Sequence, residues 1–241
     1  LLEEVTVDLP EGLVACEDGL VRPSWAATDP LLRGYYDTEW GKPVTSEQGV
    51  FERLVLESFQ SGLSWSTILK KREGFRNAFA SFIPEAVAAF TDIDRERLMR
   101  DAGIVRNRRK IDAAITNAQA VIALRAALAV EADAHRAGRM EEAPLAHLLR
   151  PGQSYPRHLG ELVWLYQPSR HPRPEKAGDV PAQTEESRAL SLELKRRGFV
   201  FVGPVTALAL MSAIGIVNTD ILGTWKRPSN EPSFVEVAAA E

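Results

Sequence analysis

The stretch LKRRGFVFVGPVTALALMSAIG, residues 194–215, constrains the fold of this chain more than any other part of the sequence. A basic helical segment ends at Gly198, a short turn follows, and Gly203 with Pro204 opens a second, apolar helix. Proline suits the first turn of a helix, where its missing N–H needs no partner. Two helices joined by so short a turn lie side by side, so the stretch predicts an αα-hairpin.

The same hairpin has the chemistry of a phosphate-binding turn. Backbone N–H groups at a helix start attract anions, and Gly203 leaves that backbone uncovered. Lys195 and Arg197 add positive charge, and Thr206 offers a hydroxyl. This resembles the helix-hairpin-helix, a clamp with which many DNA repair proteins hold phosphate without reading sequence. The alternative is an ordinary αα-hairpin with a tight glycine turn.

Helical patterns also fill most of the remaining chain, which predicts an all-α fold. Either Thr45 or Ser46 suits the start of a helix over 46–60, Ser64 suits the start of one over 64–80, and Thr184 suits the start of a third. A long alanine-rich helix is expected to end near Gly138. No alternating β pattern of any length is present.

Charge and proline content divide the chain. The net charge is −4, yet residues 1–19 hold six acids and no Lys or Arg, whereas 95–110 and 194–198 are basic. Such basic clusters are either solvated faces or a phosphate-facing surface. We therefore expect an acidic extension (1–20), one folded domain (21–228) that contains a proline-rich excursion (140–183), and a frayed tail (229–241).

The cellular setting is predicted by what the sequence lacks. No apolar run approaches the length of a membrane span, and the first residues have no signal-peptide pattern, so no membrane partner is expected. A single cysteine, Cys16, excludes an internal disulfide framework and suits a reducing cytoplasm.

Glu57 is an acidic residue on the apolar face of its predicted helix. It lies one turn beyond Leu54, on the apolar side of the 46–60 segment. A carboxylate there loses its hydration, which is costly unless something hydrogen-bonds to it. The candidates are a bound ligand or a buried ion pair with an arginine.

Several blocks, in order, resemble the 3-methyladenine DNA glycosylase I family of the helix-hairpin-helix DNA glycosylase superfamily. The blocks are WAATDPLLRGYYDTEWGKP, FERLVLESFQSGLSWSTILKKREGFRNAF, DAGIVRNRRKI and LKRRGFVFVG. The resemblance runs with gaps from Trp25 to Gly223. It implies a helical bundle with a hairpin DNA clamp and a base pocket between helical subdomains. It also implies an enzyme that flips 3-methyladenine out of alkylated duplex DNA and hydrolyses its N-glycosidic bond, leaving an abasic site.

The resemblance also assigns roles. Glu57 matches the base-recognising glutamate and Tyr35 the pocket tyrosine. Trp65 matches the stacking tryptophan, and Trp25 and Trp40 match aromatic positions that line or close the pocket. Trp25 and Trp40 could instead be plain core.

On the DNA side, Gly62 and Leu63 match the family's wedge, which fills the space left by the flipped nucleotide. Leu63 could equally be an apolar contact at a helix break. The expected partners are alkylated double-stranded DNA and free 3-methyladenine as product, and we expect a monomer that works in the cytoplasm with the nucleoid.

Two departures from the family are visible. Its zinc ligands correspond here to Pro23, Tyr36, Asp220 and Thr224, none of them Cys or His, so neither a metal nor another cofactor is expected. A hydrogen bond between Tyr36 and Asp220 could take the place of the zinc. Asp220 also falls near the catalytic aspartate of other superfamily members, in a register that is shifted.

Three functions remain open at this point. The first is a monofunctional glycosylase, because PVTALALMSAIG has no lysine for strand cleavage. The second is a glycosylase retuned to another alkylated or deaminated purine. The third is a catalytically silent damage-binding homologue.

Overall fold

The structure, a computed structural model, describes residues 9–230. Two short strands, β1 (Leu13–Ala15) and β2 (Val21–Pro23), precede the helices. The α-helices of the described part are α1 (Ser24–Ala27), α2 (Pro30–Thr38), α3 (Glu47–Gln60), α4 (Trp65–Ala78), α5 (Pro84–Ala88), α6 (Asp92–Arg100), α7 (Arg108–Arg136), α8 (Leu159–Trp164), α9 (Glu185–Arg196) and α10 (Pro204–Ala213). The predicted all-α class is confirmed.

Side-chain caps begin three of these helices where the sequence predicts them. The Ser46 hydroxyl accepts from Gly49 N at 3.3 Å, and the Ser64 hydroxyl accepts from Thr67 N at 3.2 Å. Thr184 caps α9 in the same way. These bonds satisfy backbone donors that a helix start leaves without partners. The Ser64 cap also fixes the start of α4, just after the break that carries Gly62.

Two short strands are present although the sequence shows no alternating β pattern of any length. β1 and β2 pair as antiparallel strands, with Val14 opposite Arg22. At three residues each, they are too short to show an alternating pattern in the sequence. The expected boundary at residue 20 falls inside this hairpin, while the domain limits themselves stay a prediction. Residues 231–241 of the expected tail lie outside the described part.

Helix α7 runs along the core and packs against α3, α5, α6 and α8. By length and composition alone it could cross a membrane, contrary to the expectation that no apolar run is long enough. Half of its apolar window is buried inside the fold. In this structure α7 packs against α3, and α3 in turn packs against α10 of the hairpin.

The proline-rich excursion contains the short helix α8. It ends in a segment that we call the strap (174–182). Ala177 N donates to Glu11 O at 2.9 Å, and Leu222 N donates to Pro174 O at 2.9 Å. Gly12 has a φ of +92°, and a Cβ there would lie 2.6 Å from the Ala177 Cβ. The strap is therefore pressed against the β-hairpin at a position that only glycine accommodates.

Candidate active site

A cavity of about 490 Å³ opens beside α3. Its walls come from the β-hairpin, α1, the turn after α2, α3, α4, the strap, α10 and the loop after α10. The volume lies in the range of small-molecule sites, roughly 300–1,000 Å³. Four predicted pocket residues, Glu57, Trp25, Trp40 and Trp65, lie on its wall.

The Glu57 carboxyl is buried, with 5% of the residue exposed. Within residues 9–230 it has neither a hydrogen bond nor an ion pair. Arg53, one turn earlier on α3, is instead paired with Glu39 at 3.1 Å and Glu52 at 3.4 Å. The structure therefore does not contain the alternative, a buried ion pair between Glu57 and an arginine.

Burial raises the pKa of Glu57 to about 8, and the positive charge of Arg53 opposes this shift only in part. The Glu57 carboxyl is thus a neutral acid near pH 7. A cation in the cavity would favour the ionised form and bind to it by charge-assisted hydrogen bonds. The carboxyl and the cavity together suit a positively charged, base-sized ligand.

Aromatic rings lie around the cavity beside Glu57. The Trp65 ring centroid lies 5.4 Å from that of Tyr35, and the Trp40 centroid lies 6.1 Å from Tyr35 and 5.6 Å from Trp25. Because they line the cavity, and Trp25 is 39% exposed, Trp25 and Trp40 are not plain core. Such rings can stack on a flat base and attract a cation to their faces.

Tyr35 lies behind this wall rather than on it, and only 3% of the residue is exposed. Its hydroxyl and the Trp65 indole N–H are buried without a hydrogen-bond partner. Burial raises the pKa of Tyr35, with a further contribution from Glu57. Two unsatisfied donors next to an unpaired acid are unusual in a folded protein and indicate a site built for a ligand.

Asp220 also lines the cavity. Burial raises the pKa of its carboxyl, while the Lys226 charge and the side chains of Trp40 and Tyr36 hold that pKa down in part. Tyr36 and Asp220 are therefore neighbours, although the Tyr36 hydroxyl has no partner within hydrogen-bond distance. The hydrogen bond between Tyr36 and Asp220 stays a prediction.

The residues at the family's zinc positions do not fit that metal. Pro23 offers no ligand atom, and a buried tyrosine and threonine are poor partners for a carboxylate in a tetrahedral site. Among residues 9–230 no group of three or more His, Cys, Asp or Glu side chains could hold a metal ion. The Thr224 hydroxyl is buried without a partner.

Ion pairs join the same parts of the chain. Arg22 on β2 is 2% exposed and contacts Asp18 at 2.7 Å and Asp37 at 2.8 Å. The Trp225 indole donates to Asp37 at 3.1 Å, and Lys226 Nζ donates to Trp40 O at 2.6 Å. The β-hairpin, α2 and the last described loop are thus held together by charge-assisted bonds.

The predicted wedge residues lie between α3 and α4. Gly62 has a φ of +79°, and Leu63 is 38% exposed. We call residues 61–63 the wedge loop. Neither Gly62 nor Leu63 is on the cavity wall, but Gln60 is, and its side-chain amide donates to Leu63 O at 2.9 Å.

The αα-hairpin is present as α9, a turn and α10, with Gly203 as N-cap residue and Pro204 in the first turn. Lys195 is exposed on α9, and Thr206 lies in the first turn of α10. Arg197 is different, because its side chain is 5% exposed and contacts Glu131 and Glu193, each at 2.7 Å. The expectation that Arg197 faces DNA is not supported by this placement.

Gln60 and the strap belong to the cavity wall but were not predicted from the sequence. Gln60 lies three residues after Glu57 on α3, so helical spacing could have indicated it. The strap contributes Ala177, Val180 and Ala182 to the wall. No local signal could have found it, because long-range backbone bonds bring it there.

A base-sized aromatic cavity with a buried acid, beside an αα-hairpin with a cation on its surface, defines a helix-hairpin-helix DNA glycosylase. The family model for methyladenine glycosylases matches this chain over residues 25–156 and 144–227. DNA-3-methyladenine glycosylase 1 of Escherichia coli (strain K12) is 38% identical over 214 residues, covering 88% of this chain and 99% of that protein. The DNA-3-methyladenine glycosylase of Haemophilus influenzae is 34% identical over 200 residues, covering 82% and 92%.

A solved structure agrees with these relatives. It is the structure of 3-methyladenine DNA glycosylase I (TAG) from Staphylococcus aureus, which shows the structural basis of 3-methyladenine recognition by that protein. The TM-score is 0.65 at 31% identity, over 83% of this chain and 93% of that one. The chain belongs to the methyladenine glycosylase family.

Proposed function

We propose that this protein is a DNA glycosylase that releases 3-methyladenine from alkylated duplex DNA. The observation that carries the proposal is the Glu57 carboxyl, buried on an aromatic cavity without a protein partner. A permanent structural role would have provided one, because buried polar groups are normally hydrogen-bonded. The relatives' activity on 3-methyladenine supports the same assignment.

The chemistry asks little of the protein beyond recognition. A purine methylated at N3 carries a positive charge, so its glycosidic bond is weak. When the bond from C1′ breaks, the base keeps the electron pair and leaves as a neutral molecule. Water then adds its oxygen to C1′ and gives up a proton, which leaves an abasic site. No protonation of the leaving group is required.

Each predicted pocket residue has a part in this reaction. Glu57 accepts hydrogen bonds from the cationic base, and its ionised form favours that base over neutral adenine. Tyr35 and Trp65 supply the buried donors that have no partner in the empty site. Trp65, Trp40 and Trp25 provide ring faces for stacking.

On the DNA side, Leu63 fills the space that the flipped nucleotide leaves, with Gly62 giving the loop its left-handed bend. An apolar side chain there offsets part of the unstacking cost, a few kcal/mol. Lys195, Gly203 and Thr206 on the hairpin hold a phosphate next to it. Arg197 contributes by fixing α9 through its ion pairs rather than by touching DNA.

The enzyme is proposed to be monofunctional. Strand cleavage would need an amine in the cavity, and α10 has none. The buried lysine of α7, Lys110, is tied to backbone carbonyls and does not lie on the cavity wall. We further propose a monomer without cofactor, working on the DNA of the bacterial cytoplasm.

A second candidate is a glycosylase retuned to another alkylated or deaminated purine. The position of Asp220 on the cavity wall favours it, because a second carboxyl can stabilise the positive charge that develops on the sugar. A silent damage-binding homologue is less well supported, since a pure binder has no need for an unpaired buried acid.

Release of radiolabelled base from methylated calf thymus DNA tests the proposal. We expect 3-methyladenine in the supernatant and abasic sites, with nicks only after alkali. Glu57→Gln keeps the shape and removes the charge, so it should lower release about 10- to 100-fold. The matched control is Glu141→Gln, at an exposed position away from the cavity. Absence of release by the wild-type protein would reject the proposed function.

A further inference from the structure

Lys110, in the first turn of α7, is a buried lysine with an unusual pair of partners. Only 8% of the residue is exposed. Its Nζ donates to Phe59 O at 2.7 Å and to Ser61 O at 2.6 Å. Within residues 9–230 it contacts no carboxylate, and burial lowers its pKa. Both acceptors belong to the end of α3 and the start of the wedge loop.

These two carbonyls are the kind that a helix end leaves without partners. A cation at a helix C-terminus also stabilises the partial negative charge there. Two further bonds close the same loop, because Leu63 N donates to Gln60 O at 2.7 Å and the Gln60 side chain donates to Leu63 O at 2.9 Å. The turn at Gly62 is thus held by the bonds from Lys110 and by the bonds between Gln60 and Leu63.

We propose that Lys110 is a positioning residue that holds the wedge loop in the shape that enters DNA. The proposal rests on the proposed function, in which Leu63 is the wedge. Ordering a loop during binding costs conformational entropy, so a loop already held in its bound shape gains affinity. Lys110 provides this hold from α7, a helix whose apolar residues belong to the core.

Other roles for Lys110 do not fit its surroundings. A solvated face would leave the amine exposed, and a phosphate contact would leave its protons free. A Schiff-base amine would lie on the cavity wall, which Lys110 does not. Its contacts are with the backbone, so it acts through the loop that this backbone forms.

The test compares Lys110→Met with Lys110→Arg, since methionine keeps the apolar stem and arginine keeps the charge and donors. The first readout is Kd for a duplex with a tetrahydrofuran abasic analogue, which needs the wedge but no chemistry. The second is Kd for free 3-methyladenine, which needs only the pocket. The matched control is Lys71→Met, because Lys71 also donates to a carbonyl, Ala102 O at 2.7 Å, away from the wedge loop.

We expect Lys110→Met to raise Kd for the abasic duplex about tenfold, the effect of losing hydrogen bonds from a charged donor. Lys110→Arg should recover part of that loss, and Kd for the free base should change less than about twofold. Lys71→Met should change neither. Equal duplex binding by Lys110→Met and wild type, or a parallel loss of free-base binding, would overturn the proposal.

A double-mutant cycle with Leu63→Ala separates positioning from general stability. If Lys110 acts through Leu63, adding Lys110→Met to Leu63→Ala should weaken duplex binding by less than about twofold more. Additive losses, or no effect of Leu63→Ala alone, would reject the positioning role. The duplex measurement does not depend on base release, so it decides the role of Lys110 even if the wild-type protein proves to release no 3-methyladenine.

Discussion

The side-chain amide of Asn117 on α7 holds both backbone groups of Val200 in the hairpin turn. Asn117 Nδ2 donates to Val200 O at 3.0 Å, and Val200 N donates to Asn117 Oδ1 at 2.8 Å. The amide is fully buried. The hairpin turn is therefore tied directly to the core helix α7.

Replacing Asn117 by leucine keeps the branching of the side chain at Cγ and removes both bonds. The N–H and C=O of Val200 would lose their partners, so we expect the free energy of unfolding to fall by about 2–4 kcal/mol. DNA affinity should fall as well, because the turn loses its register. Urea unfolding and duplex binding measure the two effects.

Gln119→Leu is the control, since Gln119 is a solvent-exposed amide on α7 that bonds to Ala88 O at 3.3 Å. It should change stability by less than about 0.5 kcal/mol. If Asn117→Leu proved as stable as wild type, the amide would not be what holds the hairpin.

The raised pKa of Glu57 predicts how stability depends on pH. Between its ordinary value of 4.5 and about 8, the folded protein keeps a proton that the unfolded chain has released. Stability from this group is therefore complete below pH 4.5 and is lost as pH rises towards 8, by up to about 1.4 kcal/mol per pH unit. Glu57→Gln cannot ionise, so the contribution of Glu57 to the slope should disappear in that variant.

Urea unfolding of both proteins at pH 5, 6, 7 and 8 measures this difference. The same group should appear in catalysis, with kcat/KM on methylated DNA rising with pH up to about 8 as Glu57 ionises. Identical slopes in wild type and Glu57→Gln would mean that the Glu57 proton is not held in the folded state.

Which features the sequence could predict depends on how local their causes are. Ser46, Ser64 and Thr184 were recognisable as caps because the groups they bond lie within three residues. Glu57 was recognisable because its helical neighbours repeat every three or four residues. The hairpin was recognisable from its glycines and Pro204, which act on their own backbone.

Other features depend on partners far along the chain. Asn117 and Val200 are 83 residues apart, and nothing near either position indicates the other. The strap reaches the cavity only through backbone bonds to Glu11 and Leu222. Arg197 looked like a phosphate ligand because its acidic partner on α7, Glu131, is also distant in sequence.

The ion pairs around Arg22 predict that the fold needs no zinc. Arg22→Met would remove the guanidinium partner of Asp37, whose side chain is 25% exposed and keeps its bond from the Trp225 indole, so we expect a cost of about 1–3 kcal/mol. Exposed pairs contribute far less, so Arg139→Met, which breaks the surface pair with Glu142, should cost under about 1 kcal/mol. Thermal unfolding with and without a chelator checks the metal, and a stoichiometric zinc content would contradict this account.

The role of Asp220 decides whether the enzyme has a narrow or a broad substrate range, and Asp220→Asn tests that role. A neutral lesion such as hypoxanthine leaves less readily than a cation, so its release depends more on stabilising the positive charge that develops on the sugar. If the Asp220 carboxyl provides that charge, wild-type protein releases hypoxanthine slowly, and Asp220→Asn lowers this release about 100-fold. Release of 3-methyladenine should fall much less, because that base already carries the charge that weakens its bond. Equal rates for both proteins on hypoxanthine DNA, or no release by either, would confine Asp220 to shaping the wall beside Trp40.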